Sequence, residues 1–143
     1  MTLKKVYLEH ETEIEIPFYD ADPMGVTWHG NYVKYLEVAR CELLDKLQFN
    51  YLEMEQSGFY WPIVDLRLKY VQSSYFKQIV IIKSMIIEYE NRLKIEYTLR
   101  DKKTNTVLTK ATTTQVAVCI KTKEMCFESP KILFEKMAQI KTK

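Results

Sequence analysis

Tyr19-Asp20-Ala21-Asp22-Pro23-Met24-Gly25-Val26-Thr27-Trp28-His29-Gly30-Asn31-Tyr32 separates two kinds of periodicity. Before it, Thr12-Glu13-Ile14-Glu15-Ile16-Pro17-Phe18 alternates polar and apolar residues. That alternation predicts a half-buried strand with Ile14, Ile16 and Phe18 inward. Pro17 has no N–H to give a ladder, so the strand lies at an edge or ends there. After it, from Asn31 to about Phe49, Tyr32, Tyr35, Leu36, Ala39, Leu43 and Leu47 recur at three- and four-residue steps. This spacing predicts one long helix with Asn31 as its N-cap. Lys34, Glu37, Cys41, Asp45 and Gln48 form its polar strip, while Val33, Val38 and Leu44 widen the apolar surface. A helix apolar over so much of its circumference is expected to be enclosed on more than one side.

Beyond the helix, Tyr51 to Ser57 reads as a short second helix closed by Gly58. Strand patterns follow: Val64 to Tyr70, Phe76 to Tyr89, Leu93 to Arg100 and Val107 to Ile120, with polar turns at 90–92 and 101–106. Pro130 to Met137 reads as a terminal helix. Such short connections force antiparallel pairing, because a parallel crossover needs about a dozen residues. The expected class is α+β, an antiparallel sheet curled around one long helix. Its edge strands are expected to be open or paired with a second copy of the chain.

The 143 residues suit a single domain, 1–143. A net charge of +2 is too small to argue for nucleic-acid binding, and no apolar run reaches the roughly 18 residues of a membrane span. The basic start runs into His10, Glu11, Glu13 and Glu15 without an apolar stretch, so no signal peptide is read and a cytoplasmic location is expected. Cys41, Cys119 and Cys126 form no Cys-x-x-Cys pair. With two histidines in all there is no zinc pattern, and the thiols read as small packing groups.

The chemistry is expected where the loop meets the helix. Backbone N–H groups gather at a helix N-terminus and favour negative charge that develops there. Asp22 either opens the turn before Pro23 or supplies a reacting carboxylate. Asp20, two residues earlier, reads as holding the loop by hydrogen bonds.

The pattern Tyr19-x-Asp20-x-Asp22-Pro23-x-Gly25-Val26, with Asn31-Tyr32 opening a helix followed by long strands, resembles the 4-hydroxybenzoyl-CoA thioesterase-like group of hotdog-fold acyl-CoA thioesterases. That group includes small bacterial thioesterases associated with the Tol-Pal system. The resemblance runs from about residue 10 to 137. It implies a hotdog fold, a homodimer with interfacial active sites that often assembles into a tetramer, an acyl-CoA substrate, and no metal or bound cofactor. It implies Asp22 as the catalytic carboxylate, acting as nucleophile or general base, and the His29 backbone N–H as the group that polarises the thioester carbonyl. Tyr19, Gly25, Trp28, Asn31 and Tyr32 are then candidate substrate-binding residues, against a plainer reading of cap, turn and core. Lys69, Lys77 and Arg92, with Lys110, are candidate partners for the CoA phosphates. Asp65 and the loop Gln72-Ser73-Ser74-Tyr75-Phe76-Lys77 depart from the group's pattern. Glu37 reads as a helix ion pair with Lys34 or Arg40 rather than as a catalytic acid. A hotdog dehydratase acting on acyl carrier protein is a weaker reading, since no His-Phe-Pro-Gly motif is present. A non-catalytic acyl-CoA-binding module would be expected to lack Asp22.

Overall fold

The computed structural model describes residues 5–141. β1 is Leu8–Glu15, and the chain leaves the sheet at Pro17. A 3-10 turn, Phe18–Asp20, follows. Ile16 is buried and Ile14 packs on the core, as the alternation predicts. Phe18 does not turn inward: it is 73% exposed. The 3-10 turn breaks the two-residue period there, and the Phe18 ring meets Phe76 edge-on at 5.4 Å instead.

α1 is Asn31–Leu47 and α2 is Tyr51–Gln56. The N-cap position of α1 falls on Gly30, which has no side chain to cap with. Asn31 is thereby freed from capping, and its amide nitrogen donates to the Asp20 carbonyl at 2.9 Å. Tyr32, Tyr35, Leu36, Ala39, Leu43 and Leu47 are all buried, together with Leu44. Each large side chain on that face contributes about 2 kcal/mol of burial. Val33 and Val38 stay exposed, so the helix is not enclosed on that side within one chain. Arg40 is buried in their stead, at 2% exposure. It pairs with Glu37 one turn back and donates to the Tyr51 hydroxyl at 2.5 Å.

The remaining elements are β2 Phe59–Tyr60, β3 Ile63–Tyr70, β4 Ile79–Glu88, β5 Leu93–Asp101, β6 Val107–Gln115, β7 Val118–Cys119 and α3 Lys131–Lys141. The run predicted from Val107 to Ile120 breaks after Gln115. Val118–Cys119 pairs with β2 in a separate two-stranded ladder. The main sheet has the order β1-β4-β5-β6-β3, antiparallel throughout.

Its inner face carries Val80, Ile82 and Ile86 of β4 and Leu93, Ile95, Tyr97 and Leu99 of β5, all buried. Its outer face is laced with ion pairs: Glu9–Lys83 at 3.4 Å, Glu11–Arg100 at 2.6 Å and Glu13–Lys102 at 2.6 Å. α1 lies over β1 and β4, and α3 adds Leu133 and Met137 to the core. At the far edge, β3 is left largely uncovered, with Val64, Leu66 and Tyr70 exposed. No helix among the described residues is long and apolar enough to cross a membrane.

Candidate active site

The loop between the 3-10 turn and α1 is tied down at Asp20. The Asp20 carboxylate is 3% exposed, and accepts from Lys34 Nζ at 2.7 Å and from the Tyr35 hydroxyl at 2.6 Å. Burial alone would raise its pKa. The bonds from Lys34 and Tyr35 outweigh burial and hold it below the usual 3.8. Burial, and then Asp20 itself, push the Tyr35 phenol well above its ordinary range. The Asp20 carbonyl accepts from the Trp28 N–H at 3.0 Å and from the Asn31 side chain. One residue thus joins both ends of the loop to the first turns of α1.

Asp22 to Gly25 form a tight turn, with the Gly25 N–H donating to the Asp22 carbonyl at 2.9 Å. Gly25 has φ 82, and nothing lies within 4 Å of the place a Cβ would take. Conformation, not crowding, therefore asks for glycine there. Asp22 Oδ1 accepts from the N–H groups of Met24 at 2.8 Å and Val26 at 3.3 Å. Oδ2 carries no protein hydrogen bond among the described residues.

A cleft of about 250 Å³ opens beside the α1 N-terminus. Thr27, His29 and Tyr32 form one wall; Tyr70, Val71, Gln72 and Ser73 form the other. The Tyr70 hydroxyl donates to the His29 carbonyl at 3.3 Å, and its ring lies 5.3 Å from Tyr32. The Asn31 N–H is spent on the Trp28 carbonyl at 3.0 Å, and the Tyr32 N–H on His29 at 3.3 Å. Among the described residues, the N–H groups of His29 and Gly30 donate to no protein acceptor. The Trp28 ring folds over Gly30: a Cβ on Gly30 would come within 2.2 Å of it.

Of the residues singled out in the sequence, His29 and Tyr32 line the cleft. Asp22, Gly25 and Trp28 belong to the same loop but do not line it within one chain. Tyr19 is exposed, with the Lys34 ammonium 5.7 Å from its ring. Lys69 projects from the outer face beside Arg67 and Lys110. Lys77 stacks its ammonium 5.5 Å over Phe76. Arg92 pairs with Glu88 at 3.1 Å, at the end of the sheet where Leu93 meets Gln115. Tyr70 meets Thr109 at the other end. Of the four cationic candidates, Lys69 and Lys110 are thus cross-strand partners on the outer face, while Lys77 and Arg92 are not brought to them in one chain. Asp65 faces away from the helix, as its alternation predicts, and pairs with Arg67 at 3.1 Å. No group of three or more His, Cys, Asp or Glu among the described residues is placed to hold a metal ion.

A family model for the thioesterase-like superfamily matches residues 16–140. This chain belongs to that superfamily. A Bacillus subtilis protein, YneP, whose name proposes an acyl-CoA thioesterase, is 33% identical over 85 residues, which is 59% of this chain and 61% of that protein. The match therefore spans less than two thirds of that relative's length. The DHNA-CoA thioesterase of Staphylococcus aureus superposes with a TM-score of 0.79 at 28% identity, covering 94% of this chain and 91% of that one. The Synechocystis protein Slr0204, a 1,4-dihydroxy-2-naphthoyl-CoA thioesterase, shares the fold with a TM-score of 0.82 at 14% identity, covering 93% and 98%.

In this superfamily member the far wall of the cleft comes from residues the sequence did not nominate as binding groups. Tyr70 ends a strand, Val71 follows it, and Gln72 and Ser73 stood out only as part of a departure from the group's pattern. A polar cluster after a strand says that a turn follows. It does not say which element the turn will touch.

Proposed function

We propose that the protein hydrolyses an acyl-CoA thioester to the free acid and CoA. The observation that carries the reading is the unpaired His29 N–H beside a cleft at the α1 N-terminus, one turn after a carboxylate loop. Membership of the superfamily and the names of the Bacillus subtilis and Staphylococcus aureus relatives support it.

A thioester needs little activation, because sulfur donates weakly into the carbonyl and leaves as a stable thiolate. In this reading the carbonyl oxygen sits at the His29 N–H, where the α1 dipole favours the negative charge of the tetrahedral state. Asp22 uses its free Oδ2 either to attack the carbonyl carbon or to take a proton from the attacking water. The C–S bond then breaks, and the CoA thiolate leaves. If Asp22 attacks, water hydrolyses the resulting mixed anhydride. A second copy, paired along the open β3 edge, closes the pocket and brings further cations towards the CoA phosphates.

The test is a thiol-release assay over short, long and aromatic acyl-CoAs. Wild type is expected to turn over at least one class, and Asp22→Asn to lose at least about a hundredfold in kcat. An Asp22→Asn enzyme with wild-type kcat removes this mechanism, and a wild type inert on the whole panel removes the function.

A further inference from the structure

Three hydroxyls run from the interior to the cleft, and their protons can be counted. Ser74 Oγ donates to Thr27 Oγ1 at 2.7 Å, and Ser74 Oγ lies 2.8 Å from the Tyr32 hydroxyl. A hydroxyl carries one proton. Ser74 gives its proton to Thr27, so Tyr32 must donate to Ser74. The donors therefore run from Tyr32 to Ser74 to Thr27. The proton of Thr27 has no acceptor among the described residues. Thr27 is 6% exposed, and its small open surface lies on the cleft wall beside His29. Its backbone is fixed as well, because the Thr27 N–H donates to the Ser74 carbonyl at 2.8 Å. A nearly buried donor without a partner is costly unless something comes to it.

We infer that the Thr27 hydroxyl donates into the cleft and, with the His29 N–H, cradles the thioester carbonyl oxygen. The inference rests on the acyl-CoA hydrolase reading and adds to it a side-chain donor. Tyr32 and Ser74 act as positioning residues: they occupy the acceptor side of the Thr27 hydroxyl and leave its proton facing the substrate. No proton is transferred along the chain. The bond strengthens as negative charge builds on the oxygen, so the gain falls in the transition state rather than in binding.

The test compares wild type, Thr27→Val, Thr27→Ser and Tyr32→Phe in the thiol-release assay, with the dissociation constant of an S-alkyl-CoA thioether measured alongside. That analogue lacks the carbonyl oxygen. Thr27→Val keeps the shape and loses the donor, so kcat should fall about a hundredfold. KM and thioether affinity should stay near wild type, and Thr27→Ser should recover most of kcat. Should Thr27→Val fail to fold, Tyr32→Phe decides. Without the tyrosine proton, Ser74 can accept from Thr27, the donor turns inward, and kcat should fall about tenfold at unchanged KM. The inference is overturned by wild-type kcat in Thr27→Val or Tyr32→Phe. It is equally overturned if Thr27→Ser is as slow as Thr27→Val, or if Thr27→Val binds the thioether tenfold more weakly. A wild type inert on every acyl-CoA overturns this inference and the proposed function together, whereas an active wild type with an unaffected Thr27→Val overturns this inference alone.

Discussion

Two aspartates two positions apart have different surroundings. Asp20 is buried with a lysine and a tyrosine on its oxygens; Asp22 is half-buried, with one oxygen held by its own turn and the other unbonded. The difference makes Asp20 a stability residue with a definite pH signature. Its folded pKa lies below the unfolded value, so its contribution is complete above about pH 4 and is lost as pH falls through the lowered folded value. Asp20→Asn should cost about 2 kcal/mol at neutral pH, the worth of hydrogen bonds to a charged group. The gap between wild type and variant should shrink below about pH 4. Denaturant midpoints from pH 3 to pH 7 read this directly, and a gap independent of pH would show that the charge contributes nothing.

The element that departs most from its amphipathic pattern is α1. Its valines at 33 and 38 face outward and its arginine at 40 is buried. The buried guanidinium lies near Tyr97, whose phenol is pushed up to about 12, chiefly by burial. Tyr97 has its own partner in Thr113 at 2.8 Å. Among the described residues, the carboxylate paired with Arg40 is Glu37, which is 46% exposed. That asymmetry decides which half of the pair matters. Removing Glu37 strands a buried charge and should cost about 3 kcal/mol in Glu37→Ala. Removing Arg40 leaves a carboxylate that water can reach, so Arg40→Met should cost about 1 kcal/mol or less. Urea unfolding of both variants checks the order, and the reverse order would contradict the account. A carboxylate committed to Arg40 and to the Tyr51 hydroxyl at 3.3 Å is poorly placed to act as a base.

At the scale of the molecule the open feature is the β3 edge. The sheet is covered by α1 at β1 and β4, while β3 exposes Val64, Leu66 and Tyr70. Long apolar edges are normally blunted by charge, proline or a partner. The proposed function places a second copy there. Leu66→Lys should then convert a dimer into a monomer in sedimentation equilibrium. Thiol release should fall with it if, as proposed, the second copy closes the pocket. A variant that stays dimeric with full activity would move the interface elsewhere.

The sequence determined the order of elements, the α+β class, the six buried positions on one face of α1, and the loop in which Asp20 anchors by hydrogen bonds and Gly25 makes the turn. These follow from periods of 2 and 3.6 residues and from turn chemistry, which are local and therefore written in neighbouring residues. It also pointed to the start of α1, because a helix start leaves orphan donors wherever it falls, while the N–H of His29 in particular came from the family resemblance. The tertiary structure decided that Gly30 and not Asn31 takes the cap position, that Phe18 turns outward, and that Arg40 enters the core. It alone seated the turn after β3 against the loop before α1, putting Ser74 on Thr27 across 47 residues of chain. No period relates positions so far apart. Their contact depends on where the sheet places the ends of β3 and β4, and that is set by the register of the whole sheet rather than by either segment.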